Sequence, residues 1–490
     1  MKPAKPLSQQ DHKQHKTKGV ETLLGEPKKA IITLAIPMII AMSSHTIYNL
    51  VDALWVSGFG MDLFTTETIE TVGADALAAV GFVLPFYMMI IAISTGIGIG
   101  GGAAISRRIG AKDKHGADNT AIHTIVLTAI FSILLTLFLF IFSDTILTSI
   151  GAEITAAMAI SYGRIIFAGV IFLFFSQVAF AILRAEGDVK RAMYAMMFGS
   201  ALNIILDPVF IFTFRLGVSG AAYATILSMA ITSLLLFYWL FLKKNTYVTF
   251  HFKDFTFKKS ILKDIFKVGL PASIQQLSMS FTMLIIIVII GITSGGEAGV
   301  AVYNTGWRVV MIAVLPLLGM ATALTTVTGA TYGARSYEKL NTAFLYATKT
   351  GFLIELLLAA LIFILAPFIA ALFTTTQDGF QILDDLIFFL RITCLFYPGA
   401  AFGITSSAMF QGIGKGINAL IATLLRTLVL TVFLAFLFSL VLDFGISGIW
   451  WALVIANLIG SVISFVWGKY EVNALLKRNE SRENSLPQKT

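Results

Sequence analysis

Residues 117–143 read ADNTAIHTIVLTAIFSILLTLFLFIFS. From Ala121 onward the stretch contains no Asp, Glu, Lys or Arg. A bilayer-spanning helix needs about 20 predominantly apolar residues, and this run supplies them. In hydrocarbon every backbone N–H and C=O must find a partner within the segment, so the run is a helix and not an open strand. Eleven more runs obey the same rule, roughly 31–58, 75–104, 155–183, 191–214, 217–242, 264–293, 297–328, 343–372, 383–410, 416–442 and 446–470. Together they predict an all-α polytopic membrane protein with twelve spans. The composition agrees. Of 490 residues 57% are hydrophobic and only 13% charged, and mean hydropathy is +0.85. Soluble domains carry about a quarter charged residues. A soluble enzyme, a disordered chain and a nucleic-acid-binding domain are therefore excluded. The single cysteine, Cys394, permits neither an internal disulfide nor a cysteine-built metal site.

The basic residues set the orientation. Both tails and alternate loops hold 29 of the 35 Lys and Arg residues, while the opposite loops hold one, Arg215. Those opposite loops are acidic, with Asp144, Glu297, Asp384, Asp385 and Asp443 among them. The positive-inside rule then puts both termini in the cytoplasm. It also explains the net charge of +8 without a nucleic-acid partner. Residues 1–30 are polar and basic and lack a signal-like apolar core, so they read as a cytoplasmic tail.

Matching segments recur in order. Ile36-Pro37 answers Leu270-Pro271, and Gly110-Ala111-Lys112 answers Gly333-Ala334-Arg335. Arg184-Ala-Glu-Gly-Asp answers Gln411-Gly-Ile-Gly-Lys, and Leu216-Gly-Val-Ser-Gly answers Phe444-Gly-Ile-Ser-Gly. This predicts two pseudo-symmetric six-helix lobes around a central cavity. The first lobe covers 31–242, a basic linker covers 243–263, the second lobe covers 264–470, and a second cytoplasmic tail covers 471–490. No GxxxxGK[ST] phosphate loop, HExxH or GxSxG motif occurs. The run Gly96–Gly102, GIGIGGG, lies inside a span and reads as close helix packing. The chain is expected to be no enzyme and to hold no resident cofactor. Its energy comes from an ion gradient, or it only facilitates.

Ionisable groups inside a membrane are costly and mark function. Asp52 in span 1 and Asp207 in span 5 both lie about 10 Å below the outer surface at 1.5 Å per residue. Asn203 is one turn from Asp207 on the same face. Tyr162 in span 4 and Thr225 in span 6 fall at the same depth. Two carboxylates, an amide and two hydroxyls suit a proton or Na⁺. The second lobe lacks these acids, since Asp207 aligns with Ala435, Asn203 with Thr431 and Asp52 with Ile286. It carries Glu355 and Arg426 at similar depths in outward-running spans, and a structural ion pair between them is expected. Arg308 and Lys349 snorkel or face the cavity, and Arg391 is a further charge of the second lobe. Pro37 kinks span 1 and offers a hinge. Phe and Met side chains lining a cavity would favour flat lipophilic cations.

Several of these motifs together resemble the MATE family, the multidrug and toxic compound extrusion transporters. They are Pro37, Tyr48-Asn49-Leu50-Val51-Asp52, Arg107-Arg108-Ile109-Gly110-Ala111, Arg184-Ala185-Glu186-Gly187-Asp188, Asn203-Ile204-Ile205-Leu206-Asp207-Pro208 and Gly217-Val218-Ser219-Gly220-Ala221-Ala222. The resemblance covers about 31–470, and the branch looks like the damage-inducible-protein type with prokaryotic and archaeal members. It implies a monomeric plasma-membrane antiporter that exports organic cations and other xenobiotics against inward H⁺ or Na⁺ by alternating access. It also implies a first-lobe cation site at Asp52, Asn203, Asp207, Tyr162 and Thr225. Pro37 is then the bending proline, and a carbonyl near Ala221 completes a Na⁺ shell. One departure stands out. Other branches carry a glutamate in span 7, where this chain reads Ile274-Gln275-Gln276. The alternative reading is a lipid-linked oligosaccharide flippase of the same larger group, with Arg308, Arg391 and Arg426 receiving a pyrophosphate. A channel or membrane-embedded enzyme fits neither the repeat nor the missing catalytic constellation.

Overall fold

The computed structural model describes residues 17–59, 61–64, 72–149, 155–243, 245–293, 296–374 and 382–484. No strand occurs among them. Ten helices are long and apolar enough to cross a membrane, and two bent helix pairs bring the number to twelve. Spans 1 to 3 are Pro27–Val56, Ala74–Gly110 and Lys114–Ile141. Span 4 is the pair Ala156–Ala168 and Val170–Ala185, bent by 47°. Spans 5 to 7 are Val189–Thr213, Gly217–Leu242 and Lys259–Ile292. Span 8 is the pair Gly296–Ala313 and Leu315–Gly333, bent by 48°, and spans 9 to 11 are Tyr337–Phe373, Leu383–Gly412 and Gly416–Val441. Span 12 belongs to a helix, Gly445–Asn484, that runs well past the expected end at 470.

The repeat extends to backbone conformation. Gly187 after span 4 and Gly414 after span 10 have φ of 81° and 83°. Gly217 and Gly445, which open spans 6 and 12, have φ of 54° and 57°. Left-handed backbone costs L-residues with a Cβ, so glycine is favoured at these turns, although Arg215 and Asp443 just before spans 6 and 12 adopt it too, with φ of 56° and 57°. Spans 5 and 11 both end in a π-helical turn, Val209–Thr213 and Leu437–Val441. Pro37 is carried inside an unbroken helix, where its ring leaves the Thr33 carbonyl without its usual donor.

The halves meet along spans 1 and 2 of the first and spans 7 and 8 of the second. The glycine run in span 2 makes this possible. Methyl groups added at Gly96 and Gly100 would fall 2.6 Å from Gly269 O and 2.3 Å from Ile265 O on span 7. Gly98 faces Ala181 of span 4, and Gly101 faces Thr124 of span 3. At the end of the bundle that carries the basic loops, the repeat-related glycines pack reciprocally. Gly110 sits on the Ala330 carbonyl and Gly333 on the Arg107 carbonyl. Arg107 and Arg108 both pair with Asp264 of span 7, at 2.7 and 3.1 Å. Arg107 also donates to Gly412 O at 3.1 Å. The bundle is thus closed at its basic end.

Two polar segments outside the spans are built into the fold. Helix Lys18–Leu24 lies within the expected tail and buries Val20 and Leu23. The linker is strapped to the first half. Val248 N–H donates to Glu186 Oε2 at 2.9 Å, and Thr249 N–H to Asp118 Oδ1 at 2.8 Å. Lys258 N–H donates to His123 Nε2 at 3.0 Å. Span 7 starts at Lys259, inside the expected linker. Most of the first tail, residues 1–16, and the C-terminal residues 485–490 lie outside the described residues.

Candidate ion-coupling site

Span 5 presents Asn203 and Asp207 one turn apart. Pro208 follows at once and cannot donate to Ile204 C=O. The helix nevertheless continues through Pro208 and widens into a π turn at Val209–Thr213. Such turns frequently accompany functional sites. Asn203 Nδ2 donates to Asp207 Oδ1 and to Thr225 Oγ1 of span 6, both at 3.3 Å. Asp207 is 0% exposed, Asn203 3% and Thr225 6%. Asp52 of span 1 comes within hydrogen-bonding reach of Asp207. Tyr162 of span 4 lies in the electrostatic range of both acids. The structure therefore brings Asp52, Asn203, Asp207, Tyr162 and Thr225 together.

Three buried oxygens here have no hydrogen-bond partner in the protein: Asp52 Oδ1, Asn203 Oδ1 and Asp207 Oδ2. Two carboxylates this close, in apolar surroundings, cannot both stay bare. A shared proton or a small hard cation resolves the repulsion, and an oxygen-only donor set fits both. Among the described residues no group of three or more His, Cys, Asp or Glu side chains could hold a metal ion. Two acids with neutral oxygens do not form a transition-metal centre.

An apolar cap covers the acids on the side away from the basic loops. Val56, Ile211, Phe212, Val218 and Ala221 form it, with Trp55 and Tyr162 packed against them. Trp55 meets Phe212 edge-on, ring centroids 6.1 Å apart. Ala221 is thus buried beside Tyr162, one turn from Thr225. Toward the basic end a cavity of about 660 Å³, counting the part open to solvent, begins at Asn203 and Thr225. Phe180, Met196 and Met229 give it apolar walls, and His45, Gln177 and Ser228 give it polar points. Pro37 is fifteen residues from Asp52 and outside this cavity.

Sequence reading missed two members of the cluster. Tyr48 is 7% exposed and lies one turn before Asp52, a spacing that could have flagged it. Tyr87 of span 2 lies close to Tyr48 and in the electrostatic range of Asp52. No local signal marks Tyr87, because only packing brings span 2 alongside span 1. Arg164 was missed as well; it pairs with Asp144 at 2.7 Å.

The expected Glu355–Arg426 ion pair is not formed. Neither carboxyl oxygen of Glu355 has a hydrogen-bond partner. The Arg426 guanidinium instead turns toward Gly403 of span 10, and its stem packs on Gly460 of span 12. Similar depth did not place the two side chains on facing helix sides. Arg308, Lys349 and Arg391 are exposed, and Arg391 sits over the Phe363 ring at 5.4 Å. Where other branches carry a span 7 glutamate, Gln275 donates to Thr423 Oγ1 at 3.0 Å and accepts from Gln411 Nε2 at 2.9 Å. A neutral amide network fills that position.

Comparison with known proteins agrees with this geometry. The MatE family model matches residues 37–209 and 271–437, once in each half. Multidrug export protein MepA of Staphylococcus aureus (strain MSSA476) is 28% identical over 432 residues, 88% of this chain and 90% of its own length. MepA of Staphylococcus haemolyticus (strain JCSC1435) is 26% identical over 432 residues, with the same shares. Among solved structures, a MATE protein in complex with MaL6 is 47% identical, with a TM-score of 0.90 over 94% of this chain and 100% of its own. The outward-facing conformation of a multidrug resistance MATE family transporter of the MOP superfamily is 48% identical, with a TM-score of 0.89 over 94% and 99%. A MOP superfamily transporter from Pyrococcus furiosus Vc1 (DSM3638), described as having reversed binding-pocket polarity, is 48% identical, with a TM-score of 0.88 over the same shares. Both halves carry the family pattern, and the chain belongs to the MATE family.

Proposed function

We propose that this chain is a secondary active multidrug exporter that exchanges H⁺ or Na⁺ for lipophilic organic cations and other amphipathic drugs. The observation that carries the reading is the pair Asp52–Asp207, the first half-buried and the second buried with Asn203 and Thr225 directly against a cavity walled by Phe180, Met196 and Met229. In the state closed at the basic end, the acids receive the ion from the external side by way of the adjoining cavity, not through the apolar cap. Neutralising them removes the negative field that holds a cationic drug in the adjoining cavity. It also frees span 1, jointed at Pro37, to shift against spans 5 and 6. Ion and drug then compete for one conformational equilibrium, as reciprocal coupling requires. Both termini lie in the cytoplasm and the protein works in the plasma membrane as a monomer. Resemblance to MepA, a multidrug export protein, and to an outward-facing multidrug resistance transporter supports the substrate class.

The test is efflux of a fluorescent lipophilic cation from proteoliposomes under separately imposed pH and Na⁺ gradients. Efflux under one gradient, lost in Asp52→Asn and in Asp207→Asn, is the expected result and names the ion. Undiminished efflux in both variants would reject the coupling site. No efflux under either gradient, with protein correctly inserted, would move the assignment to lipid-linked sugars.

A further inference from the structure

The second half contains a buried acid that the mechanism above does not use. Glu355, midway along span 9, is 0% exposed, and both its carboxyl oxygens lack a hydrogen-bond partner. The hydroxyl of Tyr397 on span 10, a residue also 0% exposed, finds no partner of good geometry either. Glu355 is among the electrostatic neighbours of that hydroxyl. The three helices meet just below. A methyl added at Gly351, one turn from Glu355, would lie 2.9 Å from Leu317 Cδ1 and 3.0 Å from Met320 Cε, both on span 8. It would lie 3.5 Å from Cβ of Ala401, one turn from Tyr397.

Both neighbouring spans are interrupted at this level. Span 8 bends by 48° between Ala313 and Leu315, where Pro316 cannot donate to Ile312 C=O. Span 10 tightens into a 3₁₀ turn at Cys394–Phe396, because Pro398 cannot serve Cys394 C=O, which takes the Tyr397 N–H instead. Interrupted helices at mid-membrane depth, enclosed by protein, are where transporters build ion sites.

Among the described residues no cation answers Glu355. Arg426 is turned to Gly403 and Gly460, and Arg391 to Phe363. Arg308 of span 8 and Lys349 of span 9 are exposed. On span 12, Lys469 and Glu471 lie at the basic end, engaged with Asn341 and Lys415. On span 1, His45 and Asp52 belong to the first-half cavity and acid pair. The electrostatic neighbours of the Tyr397 hydroxyl include Cys394 and Glu355. A bare carboxylate so enclosed is strongly disfavoured against its neutral form.

We propose that Glu355, together with Tyr397, is a proton-binding site of the second lobe, distinct from Asp52–Asp207 and occupied in the state closed at the basic end. One carboxyl and one phenol cannot make a coordination shell for Na⁺, so the ligand is H⁺ whichever ion the first site takes. The proton is taken from water and returned to water when spans 8 and 10 part at their interruptions; no other reactant enters.

Infrared difference spectroscopy of the full chain in lipid, across a pH titration, reads the C=O stretch of protonated carboxyls. In an Asp52→Asn/Asp207→Asn background a protonated-carboxyl band remains, and adding Glu355→Gln removes one carboxyl equivalent of it. Tyr397→Phe shifts the titration midpoint of that equivalent. An unchanged spectrum on adding Glu355→Gln overturns the proposal. Should that variant fail to fold, Glu355→Asp must shift the band, and an unshifted band is equally fatal. No drug transport enters the measurement, so failure of the export reading leaves this outcome standing.

Discussion

Replacing Gly333 with alanine tests how the two halves close. The new Cβ would lie 1.8 Å from the Arg107 carbonyl oxygen, and real Cβ contacts essentially never fall under 3.0 Å. The obstacle is backbone in the last turn of span 2, so no side chain can swing aside to make room. The helices must part by more than about 1 Å, and the partners belong to opposite halves. Overpacking of this kind costs about 1–3 kcal/mol, which displaces the equilibrium away from the basic-end-closed state by about 5- to 150-fold. Gly110→Ala meets the Ala330 carbonyl at the same 1.8 Å. The double variant should cost less than the sum, because parting the helices once relieves both contacts. Spin labels at His115→Cys and Glu338→Cys, both exposed and on opposite halves, report the separation in a Cys394→Ser background. The expected result is a new, longer distance population in Gly333→Ala with a retained helical content. A distance distribution that superimposes on the unsubstituted protein would refute the argument.

Three other outcomes are expected. Asp264→Asn removes the shared partner of Arg107 and Arg108, which are 10% and 19% exposed in their side chains, and the same label pair should open; the partial exposure of Asp264, 30%, holds the cost to about 1–2 kcal/mol. Tyr87→Phe deletes a hydroxyl in the electrostatic range of Asp52 and close to Tyr48, so ion affinity should fall about five-fold, equivalent to about 1 kcal/mol, read as the ion concentration giving half-maximal efflux. Burial pushes the Glu186 carboxyl up to about 8 from an ordinary 4.5, against the opposing Val248 N–H bond. The docked form therefore binds more protons than the undocked one, and linker docking is strongest below about pH 4.5 and weakens as pH rises to about 8, by at most about 5 kcal/mol. Amide exchange at Val248 should quicken across that window, and Glu186→Gln should flatten the dependence.

The spans were legible because lipid imposes a length and a composition on every crossing segment, and the basic loops fix their alternation. The repeat was legible because turns such as Gly187/Gly414 and Gly217/Gly445 adopt backbone conformations that favour glycine. Asp52, Asn203 and Asp207 stood out because charge and amide are rare at that depth, and a shared depth follows from counting residues at 1.5 Å each.

Azimuth is a different matter. Depth does not say which side of a helix faces which neighbour, so Glu355 and Arg426, comparable in depth, do not meet, while Tyr87, unremarkable in sequence, completes the acid cluster. Nor could local patterns foresee the reciprocal seating of Gly110 and Gly333, the strapping of the linker to Glu186, Asp118 and His123, or the π turn that carries span 5 past Pro208. Composition and periodicity along this chain determine how many helices are long and apolar enough to cross a membrane and which rare polar groups they carry. Which of those groups touch depends on helix rotation, tilt and interruption, set by close packing among spans far apart in sequence.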